Sequence, residues 1–250
     1  MQERIQQNNS RLNERERGFT LIEMIGVLAV IAVLASMVAP KIFDAIRDSK
    51  VDTLLSDVSN VRTEVVSFYK DTSRFPEHQA GPAAAAGFNE MITNSVASAT
   101  AGVVGAAIRG WRGPYLDKQL SNPLNPNSNI SVESTRLFPG TIVSFDINGD
   151  GIVDYTNGAA PAGNPNALKN DISYMVIDGL SFEEAQRISN ALDSDVDAGA
   201  AGVAGGAANW WQTGRVVAFK AATFAAAQAG PAALPVRNAD VAVWIFLGAR

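Results

Sequence analysis

The sequence contains no cysteine and only one histidine. Without cysteine no disulfide can form, so an exported form of the protein depends on packing or on a bound metal. A single histidine argues against a histidine-based metal site or catalytic base. The sequence also lacks Gly-x-Ser-x-Gly, Gly-x-x-x-x-Gly-Lys and His-Glu-x-x-His motifs, which mark common hydrolases, nucleotide-binding proteins and metalloproteases. We therefore predict that the protein is not an enzyme.

Basic residues are scarce as well. Lysine and arginine number 20 against 25 acidic residues, which gives a net charge of −5. This balance excludes nucleic acid as an expected partner, because binding to phosphates requires a basic face. Apolar residues make up 47% of the 250 residues, so the chain is able to build a packed core.

One long apolar segment follows a polar start. Residues 1–18 are polar and include four arginines, whereas Phe19–Ala39 is a run of 21 residues with a single charge, Glu23. As a helix this run is about 31 Å long, close to the roughly 30 Å hydrocarbon core of a bilayer. The arginines predict a cytoplasmic N-terminus and export of the chain after Pro40.

Two ordinary targeting signals also fit parts of this segment. A cleavable secretory signal has a shorter apolar region of about 7–15 residues and small residues at its cleavage site, and Val33–Ala35 offers such a site. A plain signal anchor fits the length of the run. Neither explains Glu23, because an ionisable side chain inside a membrane-spanning segment indicates a function.

The residues around the boundary carry a family resemblance. Arg17–Glu23 reads Arg-Gly-Phe-Thr-Leu-Ile-Glu, which resembles the processing motif of type IV prepilins and of type II secretion pseudopilins. The resemblance implies that a prepilin peptidase/N-methyltransferase cuts between Gly18 and Phe19 and methylates the new amine of Phe19. Glu23 is then the fifth mature residue, and Pro40 falls where the family has a helix-kinking proline.

The resemblance also implies a mode of assembly. The amine of Phe19 on an incoming subunit pairs with Glu23 of a neighbour, which satisfies a charge that apolar surroundings penalise. The expected product is a homo-oligomeric helical filament, made with an inner-membrane assembly platform and minor pilins. The precursor is expected in the bacterial inner membrane with its head exported, and the filament in the periplasm or on the cell surface.

The predicted fold is α+β and pilin-like. After the leader (1–18), a helix from Phe19 to about Lys70 has an apolar part (19–40) and an amphipathic part (41–72), and Pro40 is expected to kink it. A globular head (73–250) packs on the amphipathic part as a small antiparallel sheet. The apolar residues predicted to mark the amphipathic part are Phe43, Ile46, Leu54, Val58, Val61, Val65 and Phe68.

Within the head we predict two helices and four strands. A short helix is expected in 87–108, and Ser181 with Glu184 forms a capping box that begins another helix. Gly-Pro-Tyr-Leu at 113–116 is similar to a stretch that follows the long helix in major pseudopilins. The predicted strands are Thr141–Phe145, Ile172–Ile177, Arg215–Phe219 and Val241–Leu247, and the predicted insertions are Ala198–Asn209 and Ala221–Ala233.

The segment from Asp146 predicts a calcium loop. Asp146–Asp154 reads Asp-Ile-Asn-Gly-Asp-Gly-Ile-Val-Asp, with oxygen side chains at the first, third, fifth and ninth positions and glycine at the sixth, as in EF-hand loops. The predicted ligands are Asp146, Asn148, Asp150, the carbonyl of Ile152, Asp154 and Asn157.

Asn157 stands at the twelfth position, where the EF-hand pattern has a bidentate glutamate, so the predicted Ca²⁺ affinity is weak. A further carboxylate from Asp171, Asp193, Asp195 or Asp197 would raise it. The alternative is a plain Asn-Gly/Asp-Gly turn after a strand. Asp193–Asp197 by itself is predicted to be a solvated acidic turn after a helix.

Three functions remain open at this stage. The first is a subunit of a type IV pilus-like filament, and the second is a major-pseudopilin-like subunit of a type II secretion piston. The third belongs to another class, a signal-anchored exported domain that binds calcium or adheres to a surface without forming a filament.

Overall fold

The computed structural model describes residues 19–76, 86–95, 107–134, 144–147, 154–156, 168–169, 171–199, 214–221, 223, 235 and 237–249. The chain divides into two compact units, an N-terminal unit of residues 1–48 and a C-terminal unit of residues 49–250. The first helix begins in the N-terminal unit and ends in the C-terminal unit.

Helix α1 comprises Leu21–Thr72, 52 residues, and confirms the predicted long helix. It continues through Pro40, whose ring removes one backbone N–H from the hydrogen-bond ladder. In the C-terminal unit one face of α1 is buried, formed by Val51, Leu54, Val58, Val61, Val65 and Phe68.

The buried face of α1 begins later than the predicted series of apolar residues. Phe43 and Ile46 are 65% and 48% exposed, and burial begins at Val51. Both residues belong to the N-terminal unit, in which every residue from 19 onward is exposed.

A four-stranded antiparallel sheet forms the centre of the C-terminal unit. The strands of this sheet are β1 (Ile130–Ser134), β5 (Ile172–Leu180), β6 (Val216–Lys220) and β7 (Val241–Ala249). Their spatial order is β1-β5-β7-β6, which confirms the predicted α+β fold with a small antiparallel sheet.

Three of these strands match the prediction, and β1 was missed. The fourth predicted strand, Thr141–Phe145, is a strand at Ser144–Phe145, and residues 141–143 lie outside the described ranges. This short strand, β2, pairs antiparallel with β3 (Tyr155–Thr156), and β3 pairs parallel with β4 (Leu168–Lys169). The result is a second, three-stranded sheet.

The four-stranded sheet is buried on both faces. Alternate residues of β7 belong to two separate hydrophobic clusters: Val243 and Ile245 lie in the cluster that includes the buried face of α1, whereas Trp244 and Phe246 lie in the other. Phe145 of β2 packs on Phe246 with ring centroids 5.3 Å apart. The second sheet therefore covers part of the face opposite to α1.

Two shorter helices complete the described structure. Helix α2 (Ala86–Ile92) confirms the short helix predicted in 87–108, and α3 (Phe182–Gly199) confirms the helix after the capping box. The amide of Ser181 donates to Glu184 Oε2 at 2.9 Å, and the amide of Glu184 donates to Ser181 Oγ at 3.3 Å. The predicted insertions Ala198–Asn209 and Ala221–Ala233 lie almost entirely outside the described residues.

Candidate functional site

The N-terminal unit displays an apolar helix surface. Every residue from Phe19 to Ser49 is exposed, and Phe19 itself is 75% exposed. By length and composition alone, α1 is the one helix in the described part of the chain that qualifies to cross a membrane. An exposed apolar surface of this size is typical of a site that contacts a membrane or another protein.

Thr20 caps the start of this helix. Its carbonyl accepts the amides of Glu23 and Met24 at 3.1 and 3.2 Å, and its Oγ1 lies 3.3 Å from the Glu23 nitrogen. Glu23 therefore lies in the first turn, where the partial positive charge of the helix N-terminus favours a carboxylate. Gly18, the residue before the predicted cleavage, is outside the described part of the chain.

The ends of the predicted calcium loop are held together by β2 and β3. The amide of Asp154 donates to the carbonyl of Phe145 at 3.0 Å, and the amide of Ile147 donates to Asp154 Oδ2 at 2.8 Å. Asp146 is only 6% exposed. This arrangement closes the loop at its two ends, as both the calcium loop and the plain turn require.

The other four predicted ligands, Asn148, Asp150, Ile152 and Asn157, lie outside the described residues. Among the residues that are described, no three acidic or histidine side chains group closely enough to hold a metal. The donor set predicted by the sequence consists of hard oxygen ligands, which fit calcium.

Asp193 has a structural role that the sequence did not predict. The predicted solvated turn at Asp193–Asp197 is helical, and Asp193 is fully buried at a kink with φ −129° and ψ 21°. Its Oδ1 accepts the amide of Arg215 and its Oδ2 accepts the amide of Val216, both at 2.9 Å. Its carboxylate is therefore solvated by the backbone, which is why it tolerates burial.

Residues 110–116, which contain the Gly-Pro-Tyr-Leu stretch, link the end of α1 to α2. The hydroxyl of Tyr115 donates to Asp71 Oδ2 at 2.7 Å, and Trp111 Nε1 donates to the carbonyl of Glu90 at 2.9 Å. Gly110 has φ +83°, and a Cβ there would lie 2.3 Å from the carbonyl oxygen of Asp71. Only glycine permits this approach, so residues 110–116 position the end of the long helix.

We expect Tyr115→Phe to lower the free energy of unfolding by about 1–2 kcal/mol, because it removes a hydrogen bond to a charged acceptor. Burial raises the pKa of Tyr115 above 10.0, so the hydroxyl donates throughout the neutral range. Chemical denaturation of the full chain in detergent measures the change. Asp71→Asn is the matched control, because it keeps an oxygen that can accept the Tyr115 hydroxyl. Equal stability of Tyr115→Phe and the native chain would contradict the prediction.

Asp178 predicts a pH dependence of stability. It is 7% exposed, and its Oδ1 accepts the amide of Asn129 at 2.5 Å. Burial raises the pKa of this carboxyl above 3.8; the Asn129 hydrogen bond opposes the rise, and the Asp240 carboxylate adds to it. The folded state therefore binds more protons than the unfolded state just above pH 3.8, and this group's stabilising contribution is lost as pH rises through the folded pKa.

Asp178→Asn keeps the acceptor and removes the charge. We expect the melting temperature of the variant, relative to the native chain, to rise as pH increases from below 3.8 towards neutrality. Thermal melts of both full-length proteins in detergent across that range measure the difference. A difference that is constant with pH would refute the expected role of the Asp178 charge.

The N-terminal segment matches a known family motif. Residues 14–39 match the family described as the prokaryotic N-terminal methylation motif. In this segment the chain is similar to type IV pilins and type II secretion pseudopilins. The match contains Gly18, Phe19 and Glu23, so it agrees with the resemblance drawn from Arg17–Glu23.

Three relatives illustrate the similarity. The chain is 31% identical over 94 residues to the fimbrial protein EcpC of Eikenella corrodens, covering 38% of this chain and 61% of that protein. It is 30% identical over 70 residues to type II secretion system core protein G of Dickeya chrysanthemi, covering 28% and 46%. It is 34% identical over 68 residues to type IV major pilin protein PilA of Myxococcus xanthus, covering 27% and 31%.

The chain thus spans less than two thirds of each of these pilin-like relatives. No solved structure matches it significantly.

Proposed function

We propose that this chain is a structural subunit that is processed at the inner membrane and polymerises through its N-terminal helix into a type IV pilus-like filament. The observation that carries the proposal is the exposed apolar surface of α1 from Phe19 onward, with Glu23 in its first turn. The methylation motif at residues 14–39 supports it.

The apolar helix serves two environments in this proposal. In the precursor its side chains are solvated by lipid, and in the filament the same side chains pack against the helices of other copies. Cleavage before Phe19 creates the positive amine, and Glu23 of a neighbouring copy is its partner. Pairing the two charges removes the penalty that each carries in apolar surroundings, which favours the polymer over the lipid-embedded monomer.

Several partners take part in this assembly. A prepilin peptidase/N-methyltransferase supplies the cleavage and the methyl group, and an inner-membrane assembly platform with minor pilins starts the polymer. The chain is placed first in the inner membrane with its N-terminus cytoplasmic, as the arginines of residues 1–18 favour. Its final place is a periplasmic or cell-surface filament.

A second candidate is a pseudopilin of a type II secretion piston. The hydrogen bond between Tyr115 and Asp71, at 2.7 Å, favours this second candidate, because Tyr115 belongs to the Gly-Pro-Tyr-Leu stretch that resembles major pseudopilins. Three relatives also bear the name type II secretion system core protein G. The fraction that contains the processed chain distinguishes the two candidates. Processed chain in sheared surface material indicates a pilus, and processed chain in membranes alone indicates a pseudopilin.

The N-terminus of the chain tests the processing step. We expect mass spectrometry of the protein from its native cells to find a peptide that begins with N-methyl-Phe19. An intact N-terminus, or one that begins after Ala35, would return the chain to the signal-anchored or secreted class, with an exported domain that binds calcium or adheres without forming a filament.

We also propose that the loop from Asp146 to Asn157 binds Ca²⁺ weakly. The bound ion stabilises the fold of a protein that contains no cysteine and so forms no disulfide. The specific support is the closure of the loop ends by the Ile147–Asp154 and Phe145–Asp154 hydrogen bonds. Oxygen ligands of this number suit a site that works at about 0.1–1 mM calcium.

The calcium proposal predicts a rise in melting temperature. At calcium ten times the dissociation constant, the folded state gains about 1.4 kcal/mol, or about 3–6 °C for a domain of this size. We expect Asp146→Ala combined with Asp150→Ala to abolish the rise in the full chain in detergent. A melting temperature that is insensitive to both calcium and chelator would contradict the proposed site. Magnesium at the same ionic strength is the control.

A further inference from the structure

A polar cleft lies where β5 ends and α3 begins. Its volume is about 490 Å³, within the range of about 300–1,000 Å³ that is typical of small-molecule sites. Its lining comes from three parts of the chain: residues 124–125, residues 179–181 with Glu184, and residues 237–240. All of these residues are described by the structure, and none belongs to the helix surface through which the filament is proposed to assemble.

The cleft contains a β-bulge at the end of β5. The register of β5 against β7 shifts between Ile177 and Leu180, so that two residues of β5 face one residue of β7. Gly179, in the bulge, has φ +65°, and a Cβ there would lie 2.6 Å from the Cβ of Ser128. Bulges are common beside functional sites, because they redirect the chain and its side chains.

Hydrogen bonds fix this bulge to the loop of residues 122–128. Asn125 Nδ2 donates to the carbonyl of Gly179 at 3.0 Å, and Asn122 Nδ2 donates to the carbonyl of Asp178 at 3.2 Å. Asn122 is 1% exposed, and its Oδ1 accepts two amides of the same loop at 2.9 and 3.3 Å. The lining is therefore preorganised, which lowers the entropic cost of binding a ligand.

The cleft displays charges of both signs. Arg237 and Asp240 are both exposed, and among the described residues no ion pair joins them. The guanidinium carbon of Arg237 lies 5.6 Å from the centroid of the Phe182 ring, a contact that orients the guanidinium and leaves its N–H donors available. Glu184 adds a second carboxylate, whose Oε2 accepts the amide of Ser181 at 2.9 Å.

This combination of charges favours a ligand that itself carries both signs. A multiply charged anion would be repelled by the carboxylates of Glu184 and Asp240. A bare metal ion would find too few ligands, because among the described residues no three acidic or histidine side chains group closely enough to hold a metal. A zwitterion avoids both penalties, since its carboxylate pairs with the planar fork of Arg237 and its ammonium pairs with a carboxylate.

The rest of the lining is partly apolar and includes the side chains of Leu124 and Leu180. We propose that the cleft binds a short free peptide, such as a dipeptide, with apolar side chains. The carboxylate of the peptide binds Arg237, its ammonium binds Asp240, and its side chains contact the two leucines. This inference rests on neither the proposed filament nor the proposed calcium site.

Nuclear magnetic resonance of the isotope-labelled full chain in detergent tests the proposal, with leucyl-leucine as the probe. We expect the dipeptide to shift the amide signals of Asn125, Gly179 and Asn238, and to leave that of Val132 in β1 unchanged. Two altered probes each lack one charge: leucyl-leucinamide lacks the carboxylate, and N-acetyl-leucyl-leucine lacks the ammonium. Each is expected to bind about fivefold more weakly than leucyl-leucine, the loss typical of one exposed charge pair.

Substitutions in the cleft identify the partner of each charged end. Arg237→Gln is expected to weaken leucyl-leucine about fivefold and to leave the binding of leucyl-leucinamide unchanged. Asp240→Asn is expected to do the same for leucyl-leucine and to leave the binding of N-acetyl-leucyl-leucine unchanged. Arg109→Gln is the matched control, because Arg109 is exposed and lies outside the cleft; its binding is expected to equal that of the native chain.

The three probes on the native chain decide the matter even if a variant fails to fold. Weaker binding of both altered probes, with signal shifts confined to the cleft, supports the proposal. Equal binding of the three probes would show that the charged ends are not recognised and would overturn it. Absence of binding, or signal shifts only outside the cleft, would overturn it as well.

Discussion

Glu23→Ala is expected to abolish filament assembly while membrane insertion and cleavage after Gly18 continue. Glu23 is the only charge in the apolar run from Phe19 to Ala39, and its proposed partner is the amine of Phe19 on another copy. Truncating one member of a buried charge pair weakens association by roughly 30-fold or more. The measurement is the amount of processed chain in the sheared fraction relative to the amount in the membranes.

Two further variants show whether the effect belongs to the charge at this position. Glu23→Gln keeps the size of the side chain and is expected to fail as Glu23→Ala does. Asp52→Ala removes an exposed acidic residue from the C-terminal unit's part of the same helix and is expected to assemble normally. A normal filament yield from Glu23→Ala would show that assembly does not use this carboxylate.

The largest expected effect on stability is that of Phe68→Ala. Phe68 is fully buried on α1, its ring lies 5.3 Å from the Tyr115 ring, and the guanidinium carbon of Arg74 lies 5.6 Å from its centroid. Deletion of a buried phenylalanine leaves a cavity at the junction of the helix with the Gly-Pro-Tyr-Leu segment. We expect the free energy of unfolding to fall by about 3–5 kcal/mol, measured by denaturant titration of the full chain in detergent.

The same helix supplies the control for this variant. Phe43 is 65% exposed and lies in the N-terminal unit. Phe43→Ala is therefore expected to change the free energy of unfolding by no more than about 0.5 kcal/mol. A loss from Phe68→Ala as small as the one expected for Phe43→Ala would mean that α1 does not pack on the sheet through the face that contains Phe68.

Features that depend on residues close together in the chain could be predicted from the sequence. The processing motif, the single charge in the apolar run and the capping box of Ser181 with Glu184 each lie within a few residues, so local chemistry determines them. The strands β5, β6 and β7 were also predictable, because their runs of branched and aromatic residues are bounded by glycine, asparagine and aspartate.

Features made by distant residues could not be predicted in this way. Asp193 binds amides 22 and 23 residues further along the chain, and no local pattern distinguishes it from a solvated aspartate. β1 reads Ile-Ser-Val-Glu-Ser. This short alternation resembles the loop sequences around it, and its pairing with β5 is not visible in the local sequence. The burial of both sheet faces had a signal, the unbroken apolar run of β7, which is typical of a strand covered on both sides.

Electron cryomicroscopy of the sheared fraction tests the central claim most directly. If the chain polymerises through its N-terminal helix, the reconstruction will show fibres whose core consists of packed copies of α1 from Phe19 to Asp48, with the four-stranded sheets outside that core. Fibres built by contacts between the sheets alone, or the absence of this chain from any fibre although it is processed at Phe19, would contradict assembly through α1.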